Sequence, residues 1–288
     1  MRKTIKTNIR QNARQSDEQN VQREEAERLR ASPFYAALTR ALARRNMSTE
    51  ELCDLHDAAA RRLLAEYGSI FVAADCVRVP PRCVFKDEAA VERFQREAKP
   101  RAATLGGAEI ELQPAALEAM LAACEEAHAH GLEITPRDGA EAARRTYADT
   151  LRLWDSRVRP ALEHWSGQSL LDAEEVERIR SLDPSAQVVE VLRLEEQGIF
   201  FSKDFSKSIL YSVAAPGASQ HLAMLAFDAK EFTEARVREL LARHGWFQTV
   251  RDDLPHFTFL GVRETDLPAL GLRRVDERGQ TFWVPRLG

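Results

Sequence analysis

The sequence predicts an α+β fold, because helix-like and strand-like segments follow one another without regular βαβ alternation. Two further observations agree. Apolar residues recur at helical spacing in several long segments, and short β-prone runs stand between prolines and glycines elsewhere. With 288 residues, 44% hydrophobic and 30% charged, the chain can build one large domain or two modest ones, and its bulk is neither disordered nor collagenous. Lys and Arg number 41 against 45 Asp and Glu, a net charge of −4 with His neutral, so no general field attracts nucleic acid and none is expected as a partner. No apolar run approaches the roughly 20 residues that span a bilayer. The first 30 residues carry charge where an export signal needs an apolar stretch, which by itself points to the cytoplasm.

Residues 1 to about 30 are polar and rich in Arg, Gln and Glu, as in a frayed helix or a disordered arm. Residues 31–100 read as a mainly helical accessory region. Phe34, Leu38 and Leu42, then Leu52, Leu55, Ala59, Leu63 and Leu64, predict a helical hairpin from Pro33 to Tyr67, with Ser48 and Glu51 spaced as a capping box. The runs 69–74 and 83–85 predict short strands, and 87–98 another helix. Residues 101–288 form the second region. There Pro114 opens a helix that Gly131 closes, 132–135 predicts a strand, and a long helix follows from about Ala140 to Trp165. After a polar connection at 166–187, strands are expected at VVEVLRL, HLAMLAFD and HFTFLG, with a helix at 233–243.

Cys53, Cys76, Cys83 and Cys124 lack the paired spacing of a cysteine zinc site. Cys76 and Cys83 bracket VRVPPR; they would close a disulfide in an oxidising compartment and remain two thiols otherwise. His128 and His130 are two apart on a helix and so face different ways, which makes joint ligation a poor reading. Trp154, Trp165, Tyr147 and Phe205 are expected in the core. No P-loop, dinucleotide fingerprint or serine nucleophile elbow is present.

The segment PGASQHLAMLAFD places Ser219 and His221 after a Pro-Gly turn, with Asp228 seven residues beyond the histidine. Twenty-eight residues on, His256 heads another strand-like run, with Asp253 three residues before it. Two histidines and one carboxylate make a three-ligand set for zinc with one position left open, the arrangement of catalytic rather than structural zinc. Just upstream, Lys203, Lys207 and Tyr211 lie among aromatics, where a lysine could meet the terminal carboxylate of a peptide.

Ser219-x-His221-x-x-Met224-x-Ala226-x-Asp228, the HGWF at 244–247, and Asp253-x-x-His256 together resemble the zinc D-alanyl-D-alanine carboxypeptidase and dipeptidase family (VanY/VanX-like enzymes). That family's pattern is S-x-H-x-x-G-x-A-x-D, a Gly-aromatic step, then E-x-W-H. The resemblance covers about residues 108–263. It implies a Hedgehog/DD-peptidase-like domain, an antiparallel sheet flanked by helices, holding one Zn2+ on His221, Asp228 and His256. It further implies that Asp253 is the general base, that Ser219 helps hold substrate, and that Arg137 or Arg145 stabilises the oxyanion. Arg137 is preferred because a strand end points into a cleft more readily than a helix does. The implied reaction is hydrolysis of a cell-wall-type peptide near its C-terminus by metal-activated water, which requires an extracytoplasmic location. Met224, Asp253 and Pro255 stand where the family has glycine, glutamate and tryptophan. The alternative is a catalytically degenerate zinc- or peptide-binding protein of the same fold.

Overall fold

The computed structural model describes residues 20, 21 and 23–287, and its fold is α+β. The expected polar arm at 1–30 therefore falls largely outside the described residues. Its end, 23–30, is helical and buries Ala26 and Leu29.

Three helices follow: α1 (Pro33–Arg44), the single turn α2 (Thr49–Leu52) and α3 (Ala58–Tyr67). The Ser48 side chain accepts from the Glu51 N–H, one half of the capping box that its spacing predicted; the return bond from the Glu51 side chain is not made. Residues Gly68–Val72 form a buried 3-10 helix rather than the expected strand, and 83–85 are irregular. Helix α4 (Glu88–Ala98) leads into the hairpin β1 (Arg101–Leu105) and β2 (Ala108–Leu112), and α5 spans Pro114–Ala129 with its proline at the first turn.

Residues 132–135 form no strand; they run beside the end of β3 (Ala226–Asp228), where Pro136 and Ala229 make an isolated bridge. The long helix α6 (Tyr147–Gly167) starts later than expected, because Thr146 and Asp149 close a capping box there and 139–142 are 3-10. The expected polar connection holds α7 (Ala173–Ser181), capped by Asp172 and Glu175. VVEVLRL lies in α8 (Pro184–Glu195), not in a strand. Asp183 caps that helix and Pro184 opens it, so Val188, Val191 and Leu194 bury one helical face, and the valine-rich composition is overridden.

Helix α9 (Ala235–Arg243) covers a three-stranded antiparallel sheet of order β3–β5–β4, with β4 at Trp246–Phe247 and β5 at His256–Phe259. Strands β6 (Leu272–Glu277) and β7 (Gln280–Pro285) form a terminal hairpin. All residues of β3, β4 and β5 are buried. Phe227 faces Phe257 across β3 and β5, Trp246 faces Phe259 across β4 and β5, and these aromatics join one large core. That core draws on residues from both sides of position 100, including Phe34, Phe94, Met120 and Leu241. A second core, built around Trp154, Val191, Phe201 and Ile209, gathers α6 to α8 and the irregular chain that follows. No described helix is long and apolar enough to cross a membrane.

The disulfide joins Cys53 to Cys83, with Cα atoms 5.4 Å apart, instead of Cys76 to Cys83. The Cys83 N–H donates to Leu52 O at 2.8 Å and so lies against Cys53, whereas Cys76 is exposed beyond two intervening prolines. A second tie is made at Gly217. Its φ is +78°, its carbonyl accepts from Phe85 N–H at 2.9 Å, and a β-carbon there would stand 2.0 Å from the Phe85 oxygen. Gly217→Ala is therefore expected to cost about 2–4 kcal/mol and to lower Tm by roughly 5–10 °C. Gly107→Ala, at a similar φ with nothing nearby, should cost only about 1 kcal/mol. Calorimetric melting of the two variants checks the contrast.

Candidate metal centre

Asp228 ends β3 and His256 begins β5, and the antiparallel register sets the two directly opposite each other. Such partners leave the sheet on the same face. The alternation along these strands gives the opposite face to Phe227 and Phe257, so one pair of strands supplies both an aromatic core and a polar site. His221 arrives by another route, from the 3-10 turn Gln220–Ala223. Met224 then takes a left-handed conformation, φ 54° and ψ 37°, which turns the chain into β3. Glycine enters that conformation freely, and the pattern this segment resembles has glycine here. Met224 itself is buried in the core and does not line the cleft.

The turn is held by side chains from distant parts of the chain. Gln95 donates to Leu222 O at 3.2 Å and Gln113 to Ala223 O at 2.8 Å, while the Gln113 N–H donates to Met224 O at 3.2 Å. Buried carbonyls that no helix or strand satisfies are thereby paired.

Three ligand-type atoms meet on this scaffold. His221 Nε2 lies 3.1 Å from His256 Nδ1 and 3.2 Å from Asp228 Oδ1, and His256 Nδ1 lies 3.2 Å from the same oxygen. A tetrahedral ion with bonds of about 2.0–2.1 Å spaces its ligands about 3.3 Å apart, so this triangle fits such an ion with a fourth position open. His221, Asp228 and His256 are all buried and form a group that could hold a metal.

Gln220 orients His256 from behind. Its Oε1 accepts from His256 Nε2 at 2.9 Å and from the Thr258 hydroxyl, while its Nε2 donates to Tyr67 O at 2.9 Å and Ser69 Oγ at 3.2 Å. Those two acceptors fix the direction of the amide. With Nε2 of His256 carrying the proton, the lone pair of Nδ1 points to the triangle. His221 has no such support, since its Nδ1 is buried without a partner.

Burial pushes the His221 pKa down to about 4, helped by the nearby Arg145 guanidinium, so the ring is neutral near pH 7. Burial would raise the Asp228 carboxyl, yet the facing His221 and His256 and the Arg145 guanidinium hold it well below the usual range. Arg145 Nη2 donates to Asp228 Oδ2 at 2.6 Å, leaving Oδ1 for the triangle. A neutral His221 imidazole and an ionised Asp228 carboxylate are forms that suit a metal ligand.

The triangle opens on a cavity of about 380 Å³, also lined by Ser219, Asp253, Arg137 and Arg145. Burial, with Asp228 adding to it and His256 opposing it, pushes the Asp253 carboxyl up to about 6. The neighbouring Asp252 is engaged elsewhere, by Lys207 at 3.1 Å and Arg278 at 3.5 Å. The preference for Arg137 rested on a strand end and a helix that the structure does not have. Residues 132–135 are irregular, and Arg145 precedes α6. Arg145 reaches the ligand set, whereas Arg137 is exposed and its guanidinium lies over Phe232, 5.5 Å from the ring centre. Lys203 is exposed and Lys207 is paired with Asp252, so neither lysine lines the cavity, but Tyr211 does. His128 and His130 are exposed at a helix end. Gln220 and its place behind His256 were missed in the sequence, although its position next to His221 was a usable signal.

Comparison with protein-family models, curated proteins and solved structures finds no match for this chain.

Zinc titration of metal-stripped protein is expected to give one tight site per chain, abolished in His256→Ala. Gln220→Leu should weaken it by about 10–100-fold through loss of the ring's orientation, and should also lower the melting of the metal-free protein, because Tyr67 O and the Thr258 hydroxyl lose a buried partner. Calorimetry with elemental analysis checks both.

Proposed function

We propose that this chain is a zinc-dependent peptidase of the D-alanyl-D-alanine carboxypeptidase type, acting on a peptide bond near a free C-terminus. The observation that carries the reading is the triangle of His221 Nε2, Asp228 Oδ1 and His256 Nδ1, opening on a cleft that also holds Asp253 and Arg145. The S-x-H-x-x-x-x-A-x-D and D-x-x-H spacings support it, as does the left-handed Met224 in the place of the pattern's glycine.

His221, Asp228 and His256 would hold the ion, which when bound supplies Lewis acidity to a carbonyl and acidifies water. Asp253 takes the proton of the attacking water and returns it to the leaving amine. Its burial keeps it a stronger base than an ordinary aspartate. Arg145, anchored on Asp228 and only 16% exposed in its side chain, faces the carbonyl oxygen as negative charge develops there. Arg137, at the exposed rim, meets the incoming peptide, and the Ser219 hydroxyl lines the cleft to hold it. The Cys53–Cys83 disulfide suits an oxidising compartment, where a cell-wall peptide is found.

One observation favours a second reading, a protein that binds metal and peptide without turnover: aspartate at 253 is one methylene shorter than the glutamate of the related pattern. The two readings separate in an assay of D-alanine release from a peptide ending in D-Ala-D-Ala. The peptidase reading expects release by the zinc-loaded protein and a fall of about 10²–10⁴-fold in kcat in Asp253→Asn, with zinc content unchanged. Absence of release from both the wild type and Asp253→Glu, each carrying one zinc, overturns it in favour of the second.

A further inference from the structure

A carboxypeptidase must recognise a free terminal carboxylate, and the cleft holds a cation that the roles above leave unused. Arg157 projects from α6 into the same cavity as the ligand triangle. Its Nε donates to Ser212 Oγ at 2.8 Å and its Nη1 to Ser156 Oγ at 3.0 Å. Both partners are hydroxyls. Among the described residues no carboxylate lies within ion-pair distance of Arg157, although its helical neighbours Arg152 and Arg159 are both paired with acids. The guanidinium is thus oriented by neutral groups and keeps its charge and its remaining N–H groups for something that enters the cleft.

The surroundings define what that is. Leu153, Val213 and Ala214 line the wall of the cavity with Arg157, a lining that suits a small aliphatic side chain. At about 380 Å³ the cavity is at the small end of the range for ligand pockets, so the space suits a short chain end rather than a long segment. The other two arginines of the cleft are less suited. Arg145 is committed to Asp228, and Arg137 is exposed at the rim.

We propose that Arg157, positioned by Ser212, is the recognition residue for the free C-terminal carboxylate of a peptide ending in a small aliphatic residue. This rests on the peptidase reading of the same site. Guanidinium is the side chain best matched to a carboxylate, through two parallel N–H···O bonds. Anchoring the chain end there sets the register, so that the last peptide bond, rather than an internal one, reaches the ligand triangle. Ser212→Ala should weaken the same interaction less, because it loosens the guanidinium without removing it.

The test measures binding of acetyl-D-Ala-D-Ala and of its C-terminal amide by calorimetry, using zinc-loaded Asp253→Asn protein so that no turnover intervenes. The acid is expected to bind at least tenfold more tightly than the amide. Adding Arg157→Gln should bring the acid down to the affinity of the amide while leaving the amide unchanged, and Arg157→Lys should restore part of the difference. An acid-to-amide ratio unchanged by Arg157→Gln, a ratio near one in the parent protein, or no binding of either peptide overturns the assignment. Release of D-alanine by the wild type is read in parallel. Release with a ratio indifferent to Arg157 sinks this subsite and leaves the peptidase reading standing, whereas an Arg157-dependent ratio without release does the reverse.

Discussion

The pairing of Asp228 with His256 across two short buried strands is the constraint on which the rest of the structure depends. A carboxylate and two imidazoles under a protein surface are costly to desolvate unless each finds a partner. The fold supplies partners on the outer side of the triangle, with Arg145 on Asp228 Oδ2 and Gln220 on His256 Nε2. On the inner side the three ligand atoms have only one another. Three electron-rich atoms facing one point are stabilised by a cation at that point, so the group could hold a metal.

Support for that centre comes from far along the chain. Tyr67 and Ser69 hold Gln220, Gln95 and Gln113 hold the turn carrying His221, and Phe85 is locked to Gly217. The segment before residue 100 therefore packs into the main core and positions the ligand turn, and the Cys53–Cys83 link ties that segment to itself. The second core, around Trp154, carries Arg157 and Tyr211 to the other wall of the cleft. The site thus lies where the two cores meet.

The three residues were legible in the sequence because Asp228 and His256 sit at the ends of apolar strand-like runs and His221 follows a Pro-Gly turn, whereas the pairing of Asp228 with His256 across β3 and β5 was not. The α+β class was legible as well, from mixed periodicity. VVEVLRL misled because valine and leucine at i, i+3 and i+6 serve a helix as well as a strand, and the cap at Asp183 decided the matter. The run at 69–74 misled similarly, because its first four residues are fully buried in a 3-10 helix with no alternation to distinguish them. Cys53 as the partner of Cys83, Gln220 behind His256 and Arg145 on Asp228 all depend on contacts between residues at least 30 positions apart, which local spacing does not encode.

The most direct test of the central claim is X-ray absorption at the zinc edge of the zinc-loaded protein. The expected result is two imidazole nitrogens and oxygen ligands at about 2.0–2.2 Å in a low-coordinate site, with one imidazole lost in His256→Ala. Sulfur in the coordination shell, or an all-oxygen shell unaffected by His256→Ala, would contradict it.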